Sequence, residues 1–324
     1  MFNSKLNTKL TRIAGALLFA AAAVATVSAD AAAPFARTPA PGYFRLMLGD
    51  FEVTAVSDGT IDVPADTLLS EAPAITRQLL AKSFLGSPVE ISVNAYLINT
   101  GAKLILVDAG AGAFFGPTLG KLVANLKASG YQPEQIDDIY LTHLHPDHAG
   151  GIVADGKMLF PNATVHVDRR DVDFWLDQQK MDKAPASSRM FFQVAMAALK
   201  PYQAVHHVQT FEHDGQREPG VASYASYGHS AGHTGYVIES KGQKLVVAGD
   251  LLHVGAIQLA DTSVTIAYDS DAGMAMGARR KGLADAAKNG TLIGAAHMPF
   301  PGLGHVVAAG SAYTWLPVNY TQMR

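Results

Sequence analysis

Thr142-His143-Leu144-His145-Pro146-Asp147-His148-Ala149-Gly150-Gly151 packs three histidines and an aspartate into six residues, directly after the apolar Ile139-Tyr140-Leu141. Residues 139–142 read as a buried strand, so the polar run sits on a loop at a strand's C-terminal end, where side chains from neighbouring strands can converge. Imidazole nitrogens and carboxylate oxygens are donors that suit zinc or a similar divalent ion. Pro146 and the Gly150-Gly151 pair suit a tight turn. One tetrahedral ion needs three protein ligands and a water. Four donors here, with more downstream, imply two ions.

The downstream donors also follow strand-like runs. His229 lies in Gly228-His229-Ser230-Ala231-Gly232-His233, Asp250 ends Leu245-Val246-Val247-Ala248-Gly249-Asp250, and His297 closes Ala295-Ala296-His297 after Leu292-Ile293. Two residues outside the main set are candidates for orienting a ligand from behind. Asp108, in Val107-Asp108-Ala109-Gly110, either does this or forms a turn, and His233 either supports the ligands or belongs to its own turn. His166, His206, His207 and His213 read as surface or strand residues, and His305 as structural.

Around these motifs the pattern is mixed. Strands are expected at 51–56, 91–98, 103–107, 164–167, 204–208, 221–227, 236–239 and 244–248. Ser57-Asp58-Gly59 is expected to turn the chain after the first, and Asn99-Thr100-Gly101-Ala102 to close a hairpin. Helical spacing marks 118–129, 169–179, 187–199 and 272–288. No low-complexity linker separates the halves, so residues 43–324 read as one α/β domain with mixed sheets and outer helices.

The chain has 324 residues, 28 acidic and 25 basic side chains, and no cysteine. The missing cysteines exclude a disulfide scaffold, a thiolate zinc site and a cysteine nucleophile. Lys5, Lys9 and Arg12 precede an apolar run at 13–27 that ends near Val27-Ser28-Ala29, the order of a secretory signal peptide over residues 1–29. The run is too short for the ~20 residues a membrane span needs. Residues 1–29 hold three of the 25 basic groups and no acid, so the remainder carries 22 against 28, a net charge of −6. That balance argues against a nucleic-acid partner. Residues 30–42, rich in Ala and Pro, read as an extended arm. A periplasmic or secreted protein with no membrane segment after signal removal is expected.

His-x-His-x-Asp-His, followed in order by His, Asp and His at strand ends, resembles the dinuclear signature of the metallo-β-lactamase-fold hydrolases. Pro41-Gly42-Tyr43, Phe115-Gly116-Pro117-Thr118-Leu119-Gly120, Gly130-Tyr131-Gln132-Pro133 and Pro299-Phe300-Pro301-Gly302-Leu303-Gly304-His305 look like the methyl parathion hydrolase group and its lactonase-type, dihydrocoumarin hydrolase-like relatives. The resemblance implies an αββα sandwich and a homodimer. It assigns His143, His145 and His229 to one ion and Asp147, His148 and His297 to the other, with Asp250 bridging. Zinc is the expected metal, with manganese, cobalt or iron as substitutes. It also implies attack by a hydroxide bridging the ions, oriented and deprotonated by Asp147 or Asp250. His145 stands where a redox branch of the fold has glutamate, and Asp250 where many β-lactamases have cysteine, so hydrolysis outside the lactamase class is indicated. A module that binds metal without turnover would be expected to lack a donor, and none is missing.

Phe115, Trp175 and Phe191 match aromatic positions lining the leaving-group site of the resembled group, although Trp175 and Phe191 also fit helix core positions. Leu68, His253, Ile266 and Tyr268 depart from the residues of its phosphotriesterase specialists, which carry leucine at the His253 position. Ala186-Ser187-Ser188-Arg189-Met190 is one residue shorter than theirs. This pattern looks like the lactonase-type relatives. The expected activity is opening of aromatic lactones such as dihydrocoumarin and cleavage of aryl esters, with organophosphate triesters as side substrates. The alternative is an organophosphorus hydrolase.

Overall fold

The computed structural model describes Ala33 and residues 35–323, so the signal peptide expected at 1–29 lies outside the described residues. Contacts separate Met1–Pro39 from a unit running Ala40–Arg324. The described part of the first carries no helix or strand.

In the larger unit the strands of the first sheet are β1 (Tyr43–Leu48), β2 (Phe51–Val63), β3 (Val89–Asn99), β4 (Leu104–Val107) and β5 (Asp138–Tyr140). A separate short ribbon of β6 (Val153–Ala154) and β7 (Lys157–Met158) precedes β8 (Thr164–Asp168) and β9 (Val208–Phe211), which complete that sheet. The second sheet runs in chain order through β10 (Gly215–Glu218), β11 (Val221–Ala225), β12 (Thr234–Ser240), β13 (Gln243–Val247), β14 (Leu292–Gly294), β15 (Leu303–Ala309) and β16 (Ala312–Pro317). Helices are α1 (Ala65–Leu68), α2 (Pro73–Lys82), α3 (Leu122–Ala128), α4 (Pro146–Ala149), α5 (Arg169–Trp175), α6 (Gln178–Lys183), α7 (Ala186–Ala204), α8 (Gly255–Gln258) and α9 (Ala272–Asn289).

Alternation of apolar residues decides the layers. One face of the first sheet (Val53, Tyr96, Ile105, Val107) meets Tyr236, Ile238, Leu245 and Leu303 of the second in a common buried cluster. The opposite face of the first sheet (Leu97, Leu106, Ile139, Val165) packs on Leu126 of α3 and on Ala195, Leu199 and Tyr202 of α7. On the outer side of the second, Ile293 and Val306 pack on Leu283 and Ala286 of α9. Helix, sheet, sheet and helix therefore stack as expected for an αββα sandwich. Among the described residues no helix is long and apolar enough to cross a membrane.

Four local expectations are corrected. The chain does not turn at Ser57-Asp58-Gly59: β2 continues to Val63 with a bulge between Ser57 and Gly59, where Gly59 takes φ 129°. Asp58 makes that possible by accepting the backbone N–H groups of Ala111, Gly120 and Leu122 at 2.9–3.0 Å. The same bonds, and Gly120 at φ 78°, hold 118–121 out of the helix, which starts at Leu122. The helix expected over 169–179 splits, because Asp177 accepts the N–H groups of Gln179 and Lys180 and caps a new helix. Residues 204–208 are not a strand: α7 runs through Pro201 to Ala204, His206 at φ 60° ends it, and β9 starts at Val208.

Because β1 meets β2 only at residues 51–56 and β4 meets β3 only at 96–99, residues 57–63 and 89–95 extend beyond the neighbouring strands as a two-stranded arm. This arm reaches the site described next.

Candidate metal centre

Two parallel strand pairs aim their C-terminal ends at one edge of the sandwich. In the first sheet, β4 and β5 run parallel and deliver Asp108 and the loop starting at Thr142. In the second, β13 and β14 run parallel and deliver Asp250 and His297. The β11–β12 connection adds His229, and the N–H of Thr234 donates to the carbonyl of Thr142 at 2.8 Å, tying it to the first loop.

Donor atoms of His143, His145, His229 and Asp250 lie within 4.8 Å of one another, as do those of Asp147, His148 and His297. Asp250 stands between the groups. Its Oδ2 is 3.1 Å from His229 Nε2 and 3.8 Å from His143 Nε2, while its Oδ1 is 2.9 Å from His148 Nε2 and 3.1 Å from His297 Nε2. His145 Nδ1 lies 3.0 Å from His229 Nε2, and Asp147 Oδ2 lies 3.5 Å from His297 Nε2.

Behind this cluster, four imidazoles have Nδ1 committed. His143 Nδ1 donates to Thr142 Oγ1 (3.0 Å), His148 to Asp108 Oδ2 (2.9 Å), His229 to Asp269 Oδ1 (2.9 Å) and His297 to the Ser92 carbonyl (2.9 Å). A committed Nδ1 proton leaves the Nε2 lone pair facing the cluster, the arrangement a metal requires of its histidines. Asp108 also accepts the N–H and hydroxyl of Thr142, so it orients a ligand as well as shaping its turn. His233 supports the backbone of the bridging residue: its Nδ1 donates to the Ser226 carbonyl (2.8 Å) and its Nε2 accepts the Asp250 N–H (3.0 Å).

Burial holds His143 and His145 well below the ordinary imidazole pKa, so both are neutral donors. Burial opposes charge on His229 too, but Asp250 and Asp269 outweigh it and push its pKa up to about 9. Burial likewise disfavours the Asp250 carboxylate, yet His148 and His297 beside it keep its pKa well below the usual range. The cluster thus demands positive charge at its centre. The donor set fits two divalent ions. His143 Nε2, His148 Nε2 and Asp250 Oδ1 are buried with no hydrogen-bond partner, although His148 Nε2 and Asp250 Oδ1 approach to 2.9 Å. Close approach without hydrogen-bonding geometry is what lone pairs aimed at a shared cation produce.

Sequence reasoning missed several residues that hold the donors. Asp269 orients His229 from forty residues downstream. Asp171 is fully buried and accepts the Leu144 N–H (2.7 Å), the Ser230 hydroxyl (2.6 Å) and the Gly232 N–H (2.6 Å), joining the first and second donor loops. Arg279, buried on α9, donates to the carbonyls of Leu251 (2.8 Å) and Val264 (2.7 Å), fixing the segment after Asp250. No local pattern marks these; an aspartate at a helix start or turn is ordinary until its distant partners are known.

A cavity of about 260 Å³ opens onto the cluster. Ile61, Val63 and Ile91 of the arm, with Phe115, Phe191, Ile266 and Tyr268, form its walls, and His145, Asp147, Asp250, His253 and His297 its floor. His253 is buried, 3.0 Å from Asp250 Oδ2 through Nε2, and stacked on His297 at 5.3 Å. Two expected pocket residues are elsewhere. Trp175 lies in the core behind His145, ring centroids 5.1 Å apart, because α5 turns that face toward Phe192 and the sheet. Leu68 packs with the apolar cluster around Leu80 and Ile266, and its carbonyl accepts the Ala267 N–H, so it supports the wall without being part of it. Cavities of about 350 Å³ under α9 and about 660 Å³ near β1 touch none of the donors.

The model of the Metallo-beta-lactamase superfamily matches residues 89–307, a span that holds every donor named above. The chain belongs to that superfamily. Among solved structures, the hydrolase AbOPH of the beta lactamase superfamily is 38% identical, with a TM-score of 0.84 over 88% of this chain and all of that one. AidC, a dizinc quorum-quenching lactonase in complex with a product, is 27% identical, with a TM-score of 0.80 over 87% of this chain and 99% of that one. An N-acyl homoserine lactonase of Bacillus thuringiensis is 26% identical over 198 residues, 55% of this chain and 69% of the relative. An atrochrysone carboxyl ACP thioesterase of Passalora fulva is 28% identical over 49% of this chain, which spans only 38% of that relative. The chain is thus a metallo-beta-lactamase-superfamily hydrolase with lactonase relatives and donors for two divalent ions.

Proposed function

We propose that the protein opens lactones, preferring aromatic ones such as dihydrocoumarin, and cleaves aryl esters, with organophosphate triesters as side substrates. The observation that carries this reading is the cavity of about 260 Å³, whose apolar and aromatic walls end directly on the donor cluster. No lysine or arginine is among its lining residues, which suits a neutral substrate. Phe115, Phe191 and Tyr268 are among its lining residues, and aromatic rings suit a flat aryl group. The lactonase relatives support the reaction class.

His143, His145, His229, Asp147, His148, His297 and Asp250 would hold two divalent ions, which would supply Lewis acidity and lower the pKa of water. Zinc suits this set of imidazoles and carboxylates. The chain's own part is positional. Asp147, with its carboxylate 18% exposed, accepts a proton from water at the cavity floor and returns it to the oxygen that leaves the acyl carbon. Water adds to the carbonyl and the acyl C–O bond breaks, giving a hydroxy acid from a lactone and a carboxylic acid with a phenol from an aryl ester. His253, which lines the cavity floor 3.0 Å from Asp250 Oδ2, favours a planar ester over a tetrahedral phosphotriester. The export signal read in residues 1–29 would deliver this activity to the periplasm or beyond the cell.

The test compares kcat/KM of the metal-loaded protein on dihydrocoumarin, N-hexanoyl homoserine lactone and methyl parathion, with His253→Leu in parallel. Preference for dihydrocoumarin, with His253→Leu moving the ratio at least about tenfold toward methyl parathion, is expected. A wild type that prefers methyl parathion would overturn the lactone reading in favour of an organophosphorus hydrolase.

A further inference from the structure

His253 lies outside the seven donors grouped above, yet it faces the same carboxylate. Its Nε2 is 3.0 Å from Asp250 Oδ2, and His297 Nε2 is 3.2 Å from that oxygen. The two rings are nearly parallel, at 19° with centroids 5.3 Å apart. Donor atoms of Asp250, His253 and His297 lie within 4.8 Å of one another, a third group beside the two already described. Two atoms bonded to one tetrahedral ion at about 2.0–2.1 Å stand roughly 3.3 Å apart. Both imidazoles therefore sit at ligand spacing from the shared oxygen. The turn that carries Asp250 and His253 is held from behind. Gln258, fully buried, accepts the N–H groups of His253 (2.8 Å) and Val254 (3.2 Å) and donates to the Val264 carbonyl (3.1 Å). Arg279 donates to the carbonyls of Leu251 and Val264.

His253 also differs from the donors in what its far nitrogen does. The Nδ1 atoms of His143, His148, His229 and His297 are committed, whereas His253 Nδ1 is buried with no hydrogen-bond partner. Nothing locks His253 in one tautomer, which suits a donor engaged in only one of two arrangements. Asp147 is the loosest of the seven. Its carboxylate is 18% exposed, against 0–3% for the side chains of His143, His148, His229, Asp250 and His297. It stands 3.5 Å from His297 Nε2 and 3.7 Å from His148 Nε2. We propose that Asp250, His253 and His297 form an alternative seat for the divalent ion that Asp147, His148 and His297 would hold. The two seats share Asp250 and His297, and moving between them exchanges Asp147 and His148 for His253. The exchange frees the Asp147 carboxylate, which the hydrolase reading uses as a proton acceptor. The seat itself goes beyond that reading and stands on the donor geometry alone.

Metal binding without substrate tests the seat. Metal-free protein is titrated with zinc against a coloured chelator, and bound zinc is counted by mass spectrometry. Asp147→Ala is expected to keep two zinc ions, because the second moves to Asp250, His253 and His297. His253→Leu also keeps two, the second held by Asp147, His148 and His297. The double variant is expected to keep one, its second-ion affinity falling at least about tenfold below the product of the two single losses. Asp147→Ala/His253→Gln separates a ligand from a hydrogen-bond donor, since glutamine can donate to Asp250 Oδ2 but is a poor zinc ligand. It is expected to match the leucine double variant, and it covers the case in which leucine disturbs folding. Loss of the second zinc in Asp147→Ala alone overturns the seat, as do losses that merely multiply. A glutamine double variant that still binds two ions also overturns it and leaves His253 as a hydrogen-bond donor to Asp250. Absence of ester and lactone turnover would remove the hydrolase reading and leave the seat standing, because this test reads zinc alone.

Discussion

At the residue scale, the donors and the groups behind them differ in how they can be read. His143, His145, Asp147 and His148 stand out because a metal centre demands particular residue types at close spacing, and few other constraints produce such density. Asp171 has no such signature. Burial pushes its pKa up to about 6 against the donors from Ser230, Gly232 and Leu144, which favour the ionised form. No cation pairs with it among the described residues, so three neutral donors carry the cost of burying it. Asp171→Ala leaves those donors unpaired between two ligand loops. It is expected to destabilise the fold by about 2–4 kcal/mol and to weaken metal binding roughly 10–100-fold, read by urea unfolding and by competition with a coloured chelator. Asp171→Asn keeps the acceptor for Ser230 and Gly232 but turns an amide toward the Leu144 N–H, so its metal affinity should fall between the two. Wild-type affinity in the alanine variant would show that the loops are held by other means.

At the element scale, the instructive failure is Ser57-Asp58-Gly59. Read locally, this triplet is turn chemistry, yet it lies inside a thirteen-residue strand. A bulge needs the same residue types as a turn, and only the partners tell them apart: here a buried carboxylate gathers three N–H groups from a segment more than fifty residues downstream. The central strands were legible because burial on both faces leaves long apolar runs, as in β3. In the arm, 91–95 was legible as strand but 57–63 was not, because its pairing is long-range and Ser57-Asp58-Gly59 looks locally like a turn. Asp58→Ala is expected to cost about 2–4 kcal/mol. It should also raise KM for dihydrocoumarin several-fold by loosening Ile61, Val63 and Ile91 at the cavity wall, while metal content by mass spectrometry stays at the wild-type level. Unchanged KM in a destabilised variant would mean that the arm keeps its place without this anchor.

At the scale of the whole molecule, mixed sheets with outer helices followed from the strand and helix patterns and the αββα layering from the family resemblance, whereas the ties between the sheets followed from neither. Lys103 at the β3–β4 turn donates to Asp138 (2.8 Å) in the first sheet and to Glu218 (2.6 Å) in the second, and His166 Nε2 lies 2.7 Å from Asp138. Burial raises the Asp138 pKa, but His166 and Lys103 more than offset it and leave it below the usual carboxylate range. A lowered carboxylate pKa stabilises the fold above about pH 3.8, and that contribution is lost as the pH falls through the folded-state value. Asp138→Asn should therefore cost roughly 1–3 kcal/mol near pH 7 and progressively less below pH 4, as followed by Tm against pH. A penalty that does not depend on pH would assign the effect to packing. The two-stranded arm has a different consequence. It brings cavity walls from a part of the chain that supplies no donor, just as α7 brings Phe191 and the loop after α8 brings Ile266 and Tyr268. Apart from His253, three residues after Asp250, the selectivity walls and the metal donors are therefore written on separate stretches of polypeptide. A combinatorial library confined to Ile61, Val63, Phe191, Ile266 and Tyr268 can explore new substrates while leaving the reaction centre intact, which makes this scaffold a practical starting point for redesign.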